Sequence, residues 1–465
     1  MAFFSRLTAD QQQQIQSFID ETFPAQTAAL QELIRIPSVK APPDGSMPFG
    51  ADIQKALDAA LVLAQKLGFA TKDIDGYAGV AEAGQGKEAL GILAHLDVVP
   101  AGEGWSMPPF SAELRDGLVY GRGSTDDKGP AVSVLYALAA VRATEIPLSR
   151  RVQIIFGCDE ESGWACMDHY SKTQRMPDLA FSPDAEYPLV YSERAILHAT
   201  YQLKLSGSRV RANSGERPNV VPGTAEAYVP CAVASLPQRE GLRISAQPEA
   251  DGSKISVTGL GSHAATPHRG KNALLFLLQA LKELPLDTRD AEIARSLADA
   301  FSMDLHGESL GLDIQDDSGR LTLSPDILHW DADGVSLTFD ARIPHSLTPE
   351  ELLERVSAAL APAGFALSPN PRITRGHIVP RESELVQKLM GVYRAQTGDT
   401  AAQPLAIGGG TYARAIENAV AFGCEWPHRE MLAHMPDECI PLEDMKRNTL
   451  MLADAIVALA GEGQG

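Results

Sequence analysis

The chain is poor in cysteine, short of positive charge, and has no apolar stretch long enough to cross a bilayer. Each shortage excludes something. Its five cysteines (Cys158, Cys166, Cys231, Cys424 and Cys439) are an odd number and contain no CxxC pair. That pattern suits neither a disulfide framework nor a cysteine zinc site, and it points to a reducing compartment. No apolar stretch reaches the roughly 18 residues that would span a membrane. The N-terminal MAFFSRLTADQQQQIQ lacks a basic region followed by an apolar one, the mark of a secretory leader. A cytoplasmic protein without membrane contact is the expectation. Lys and Arg number 40 against 60 Asp and Glu, a formal net charge of −20. Such a surface repels phosphate backbones, so nucleic acid is not an expected partner, whereas cations are admissible. No internal repeat of fixed short period occurs.

What is present reads as globular. Hydrophobic residues make up 44% of a chain of 465 residues. This length suggests two or three domains at roughly 150 residues each and can bury a core without disulfides or structural metal. Residues 8–36 read as an amphipathic helix or helix pair capped at Thr8 or Asp10, and 50–68 as a second helix. The glutamine run at 11–14 is assigned no role. Strand-like 90–97, 151–156 and 179–182 alternate with helical 131–143 and 163–172. That alternation predicts an α/β domain with a mostly parallel sheet. From about residue 194 strand-like runs dominate, with helical stretches at 272–283 and 349–361. Helical patterns return at 385–396 and 444–460, around the short segment PLAIGGG. The expected organisation is a two-domain α/β protein. Its first domain is formed by 1–193 and 381–465, and an α+β domain is inserted at 194–380.

Acidic residues and histidines gather where strands are expected to end, and in open α/β sheets ligands bind beyond those carboxyl ends. In GILAHLDVVP, His95 and Asp97 share one strand face. They read either as a core histidine beside a strand-end acid or as a metal-bound imidazole with its carboxylate partner. In YGRGSTDDKGPA, Asp126 and Asp127 can cap the following helix or bridge two metals. In IIFGCDEESG, three consecutive acids leave an apolar strand; a solvated charge run and a shared task of metal ligand and proton acceptor both fit. Asp184 follows a short strand in FSPDAEYP, and His434 lies in HMPDE, downstream of GGGTYAR. Oxygen donors mixed with imidazole suit Zn, Mn or Co better than copper or iron–sulfur clusters.

Taken in order, SVKAPPDGSMPFG, HLDVVPAGEGW, GRGSTDDKGP, DEESGW, SPDAEYP, NVVPGTAEA, GSHAATPHRGKNA, GGGTYAR and HMPDE span most of the chain. The set resembles the co-catalytic dinuclear metallopeptidase family of carboxypeptidase G, aminoacylases, succinyl-diaminopimelate desuccinylase and carnosinases, and within it the bacterial dipeptidase V branch. The resemblance implies two divalent ions per chain, zinc first and manganese or cobalt as alternatives. His95 and Asp184 would hold one, Glu161 and His434 the other, with Asp126 bridging through a cis Asp126–Asp127 peptide. Asp97 would orient His95. Glu160 would be the general base toward a water shared by the metals, and His263 the oxyanion donor from the inserted lid. Asn219, Arg342, Gly409, Gly410 and Thr411 would hold the C-terminal end of a small peptide. An enlarged lid, as in this branch, implies a monomer whose His263 serves its own chain, with hinge closure around substrate.

The leading expectation is thus a metal-dependent dipeptidase acting on short peptides with a free N-terminus. The alternative is an N-acyl amino-acid amidohydrolase with the same site, and a β-alanyl preference also fits. A non-catalytic metal- or peptide-binding scaffold would lack a ligand or the base, and none is missing.

Overall fold

The computed structural model describes residues 7–461. The segment Met1–Arg6, part of the region without a leader pattern, lies outside the described residues, as does 462–465. The chain forms two compact units. The first comprises residues up to Tyr191, Ile378–Leu405 and Gly410 onward; the second comprises Ser192–His377 and Ala406–Gly409. The division read from the sequence, 1–193, 194–380 and 381–465, differs in its treatment of Ala406–Gly409. That segment joins the second unit because the Arg194 amide donates to the Ile407 carbonyl at 3.0 Å and Arg342 Nη1 to the Gly408 carbonyl at 2.7 Å.

In the first unit the central strands are parallel. Arg151–Gly157 pairs with Ala89–His95, which pairs with Leu179–Ser182, which pairs with Ala419–Ala421. Ala89–His95 is buried along its whole length, as expected of a strand covered on both faces. One edge departs from the sequence reading: Ala70–Ile74 and Ala78–Ala83 form an antiparallel pair that extends the sheet beyond Arg151–Gly157. Helix Lys128–Ala143 is buried at all but its last residues and packs against helices Ala9–Ile34 and Leu442–Ala460. The first helix is single, not a pair. Thr8 caps it in a capping box with Gln11, which gives the glutamine run one structural role.

The second unit is α+β. Its main sheet is antiparallel and runs Arg243–Glu249, Gly252–Thr258, Thr224–Val229, Arg211–Ser214, Thr322–Trp330, Gly334–Ile343, Ala195–Lys204. Ala195–Lys204 alternates buried and more exposed residues, so one face joins a core with helices Ala273–Lys282, Thr288–Ala300 and Pro349–Leu360. No helix among the described residues is long and apolar enough to cross a membrane.

Four parallel strands of the first unit, ending at His95, Gly157, Ser182 and Ala421, therefore direct their carboxyl ends toward one edge of the sheet. Gly157 shows how tightly that edge is packed: a Cβ there would lie 2.2 Å from the hydroxyl of the buried Tyr412. Gly157→Ala should cost about 1–3 kcal/mol of stability, as for overpacked cores, read as a lower urea midpoint at unchanged slope. A wild-type midpoint would mean that the Tyr412 ring yields.

Candidate metal centre

His95 is the last residue of its strand and is buried. Its Nδ1 lies 2.8 Å from the Asp97 carbonyl. A carbonyl can only accept, so a proton sits on Nδ1 and Nε2 is the nitrogen left to face Asp126 and, on losing its own proton, a metal. Asp97 meets His95 through its backbone carbonyl. Its carboxylate is 3.6 Å from Nδ1 and instead accepts the amides of Glu160 and Glu161, both at 3.0 Å. The side chain expected to steer the imidazole fixes the neighbouring acidic turn.

That turn follows strand Arg151–Gly157. Asp159, the first of its three acids, is buried and accepts Lys40 Nζ at 2.6 Å, Ser162 Oγ at 2.5 Å and the Ala165 amide at 3.0 Å. It is a structural acid that leaves Glu160 and Glu161 pointing away. Asp127 occupies the N-cap position of helix Lys128–Ala143 but makes no capping hydrogen bond. It accepts the His95 amide at 3.0 Å. The simple capping reading fails there. The Asp126–Asp127 peptide is cis.

Asp126 stands between the two imidazoles. Its Oδ1 lies 2.9 Å from His95 Nε2 and its Oδ2 2.9 Å from His434 Nε2. Asp184 Oδ2 is 3.7 Å from His95 Nε2, and Glu161 Oε1 is 3.0 Å from His434 Nε2. Two sets result, His95–Asp126–Asp184 and Asp126–Glu161–His434, each with donor atoms mutually within 4.8 Å. One carboxylate shared by two sets, each with one imidazole and carboxylates, fits two divalent cations.

The electrostatics favour the same reading. Burial pushes the Glu160 and Asp184 carboxyls well above the usual range, and for Asp184 the neighbouring Asp126 and Asp127 add to it. Burial also raises Glu161, again with Asp126 contributing. Burial opposes the charged form of His434, but hydrogen bonds to Asp126 and Glu161 outweigh it and push this imidazole up to about 11. Acids crowded this closely in a desolvated site need cationic charge, and without metal the histidines supply it by holding protons.

The remaining residues of the sequence reading lie elsewhere. His263, Asn219 and Arg342 belong to the second unit. The Asn219 carbonyl accepts the Ala264 amide at 3.0 Å, and Val220 pairs with His263, so Asn219 and His263 share one short ribbon. His263 Nδ1 accepts the Ala265 amide at 3.0 Å, which puts the proton of the neutral ring on Nε2. The Arg342 fork is engaged by Asp340, Nε at 2.9 Å and Nη2 at 2.8 Å, rather than left open for a carboxylate. His198 adds a hydrogen bond to the same Asp340 at 2.8 Å. Gly409 groups with the second unit and Gly410 and Thr411 with the first. Thr411 is buried and caps the short turn Tyr412–Ala415 through the Ala413 amide.

Sequence reasoning passed over Glu438. It is fully buried, pairs with buried Arg122 at 2.6 Å, and its Oε1 accepts the amides of Gly123, Thr125 and Asp126 at 3.0, 3.0 and 3.3 Å and the Thr125 hydroxyl at 3.1 Å. The one available signal was its place in HMPDE, four residues after His434.

A mixed α/β unit bearing two imidazole–carboxylate sets about one shared aspartate is the framework of a dinuclear metallohydrolase. The chain belongs to peptidase family M20/M25/M40, whose profile matches residues 91–458. It is therefore a hydrolase that uses divalent metal. It is 37% identical over 454 residues to the Bacillus subtilis protein named "Putative dipeptidase YtjP", covering 92% of this chain and 96% of that one. Among solved structures, human carnosine dipeptidase 1 aligns with a TM-score of 0.59 at 17% identity over 96% of this chain and 98% of that one. The dipeptidase Dug1p of Saccharomyces cerevisiae aligns with a TM-score of 0.58 at 15% identity over 96% and 98%. At those identities the likeness is one of fold, and it confirms the expected two-domain α/β architecture.

Metal content separates the roles of the ligands. Asp126→Ala should lose both metal equivalents, and Asp184→Ala one, measured by elemental analysis after gel filtration. Equal losses in the two variants would remove the bridging assignment.

Proposed function

We propose that the protein is a metal-dependent dipeptidase that hydrolyses short peptides with a free N-terminus. The observation that carries this is the pair of three-residue donor sets meeting at Asp126, beside the half-buried Glu160. In this reading His95, Asp126 and Asp184 hold one cation and Asp126, Glu161 and His434 the other. The cations would supply Lewis acidity and a lowered water pKa.

The side chains have separate tasks. Glu160 takes a proton from the attacking water and gives one to the leaving amine. Its burial-raised carboxyl suits that exchange better than an ordinary exposed glutamate would. Asp97 holds the Glu160 amide and so fixes the base relative to His95. His263, with its proton on Nε2, donates to the developing oxyanion. Asn219 and the Gly409–Thr411 segment receive the substrate's C-terminal carboxylate. Arg342, whose fork is occupied by Asp340, contributes by holding the Gly408 carbonyl and hence the start of that segment.

Donor sets of one imidazole and two carboxylates suit zinc, manganese or cobalt, and the family resemblance puts zinc first. The acidic surface and reduced cysteines support a cytoplasmic location, and the large second unit supports a monomer. Sedimentation at micromolar concentration should give a single species near the chain mass of 49.8 kDa.

The decisive experiment is a substrate panel of Ala-Ala, Leu-Leu, β-Ala-His and N-acetyl-Leu with Zn²⁺- and Mn²⁺-loaded protein. Free-amine dipeptides should be cleaved. Cleavage of N-acetyl-Leu alone would make the protein an amidohydrolase. Glu160→Ala should retain its metal and lose about 10²–10⁴ in kcat. His263→Ala should lose about 10²–10³ in kcat, the cost of one oxyanion donor. Unchanged turnover in either variant would remove the role given to that residue.

A further inference from the structure

The segment from His434 to Glu438 does not follow local backbone preference. His434 and Asp437, neither of them glycine, both sit in the left-handed region, at φ +65° and +58°. Such a conformation is uncommon outside glycine, though His and Asp tolerate it better than most, and it is favoured where the surroundings hold it. Three contacts impose it here. Asp437 Oδ1 accepts the Ser106 amide at 2.8 Å and its hydroxyl at 3.0 Å. Arg122 Nη1 reaches the Met435 carbonyl at 3.3 Å. Glu438 is locked between Arg122 and the amides of Gly123, Thr125 and Asp126. The Gly121 amide also donates to the Glu438 carbonyl at 2.8 Å.

One buried carboxylate thus holds together the two segments that carry Asp126 and His434. Nothing comparable ties it to the other ligands. His95 is set by the Asp97 carbonyl and the Asp127 carboxylate, and Asp184 follows a different strand. We propose that Glu438, braced by Arg122, is a positioning residue that sets the separation of Asp126 and His434 and thereby the affinity of the Asp126–Glu161–His434 site in particular. This rests on the ligand assignment above. Without Glu438, that site loses support for two of its three ligands, whereas the His95–Asp126–Asp184 site loses support for one.

The test is Co²⁺ titration of metal-free full-length protein, followed by visible absorbance and competition with a chromogenic chelator. Wild type should take up two equivalents. Glu438→Gln should keep one equivalent at close to wild-type affinity and bind the other about 10–100-fold more weakly, the usual effect of losing an outer partner of a ligand. Glu438→Asp keeps the charge opposite Arg122 but draws the carboxylate back from the amides. It should show the same one-sided loss, and it carries the test if Glu438→Gln does not fold. A general loss of structure would weaken both equivalents alike. Equal weakening of both, or two wild-type affinities in a folded variant, would overturn the proposal while leaving the ligand assignment intact. Fewer than two equivalents in wild type would overturn the assignment and this proposal with it.

Discussion

Like charges held close in a desolvated space are the constraint around which the first unit is arranged. Asp126, Asp127, Glu160, Glu161 and Asp184 converge at one sheet edge, and burial raises the cost of ionising nearly all of them. Asp126 is the exception. Burial alone would raise it, but hydrogen bonds from both histidines hold it well below the ordinary carboxylate range. A single ionised carboxylate with an imidazole on either side is an arrangement that two cations can replace with little rearrangement of the protein. The acids are costly without metal, and that cost makes the site selective for positive charge.

Bringing the acids together requires the backbone to be held by other polar groups, and the structure gives this task to acids that do not face the centre. Asp97 clamps two successive amides, Asp159 ties its turn to Lys40 and Ala165, and Glu438 gathers three amides and a hydroxyl. Each is buried, and each spends its lone pairs on groups that would otherwise be unsatisfied. The division is chemical. Carboxylates satisfied by N–H groups become scaffold, and those left facing one another become the centre. His95 shows the same economy, since a backbone carbonyl sets its tautomer and leaves the Asp97 carboxylate for the adjacent turn.

The elements with strong periodicity were legible in the sequence. Helix 50–68 is Ala51–Lys66, and strand 151–156 is Arg151–Gly157. The antiparallel edge pair at 70–83 was not read, because AGVAEA is built of small residues with no alternation. Helix Thr288–Ala300 was missed because its polar residues hide a narrow apolar stripe of Ile293, Ala294, Leu297 and Ala298. In the centre, residue types alone left each acid and histidine with two readings, and it was the resemblance carried by the ordered motifs that put His95, Asp126, Glu161, Asp184 and His434 in one set. Roles set by pairing across the fold were not readable. Glu438 finds its partners more than 300 positions away in the chain, as with Asp126 at a separation of 312. Asp340, by contrast, lies two positions before Arg342 on the same strand face, so the spacing in FDARIP already held the clue that this fork has a partner.

The first unit is written in three pieces, with most of the second unit lying between the first two and Ala406–Gly409 between the second and third. On the ribosome the strands Ala89–His95, Arg151–Gly157 and Leu179–Ser182 emerge early, yet their outer neighbour Ala419–Ala421 and the helix Leu442–Ala460 are made last. The core of the second unit, whose buried residues run from Ala195 to Phe365, can form before them. Until His434 and Glu438 are made, the nascent chain therefore carries one packed core and one open parallel sheet whose acids lack both. An open sheet edge of this kind is a site for mispairing between chains. The same order of synthesis keeps the candidate centre incomplete until His434 and Glu438 have been made.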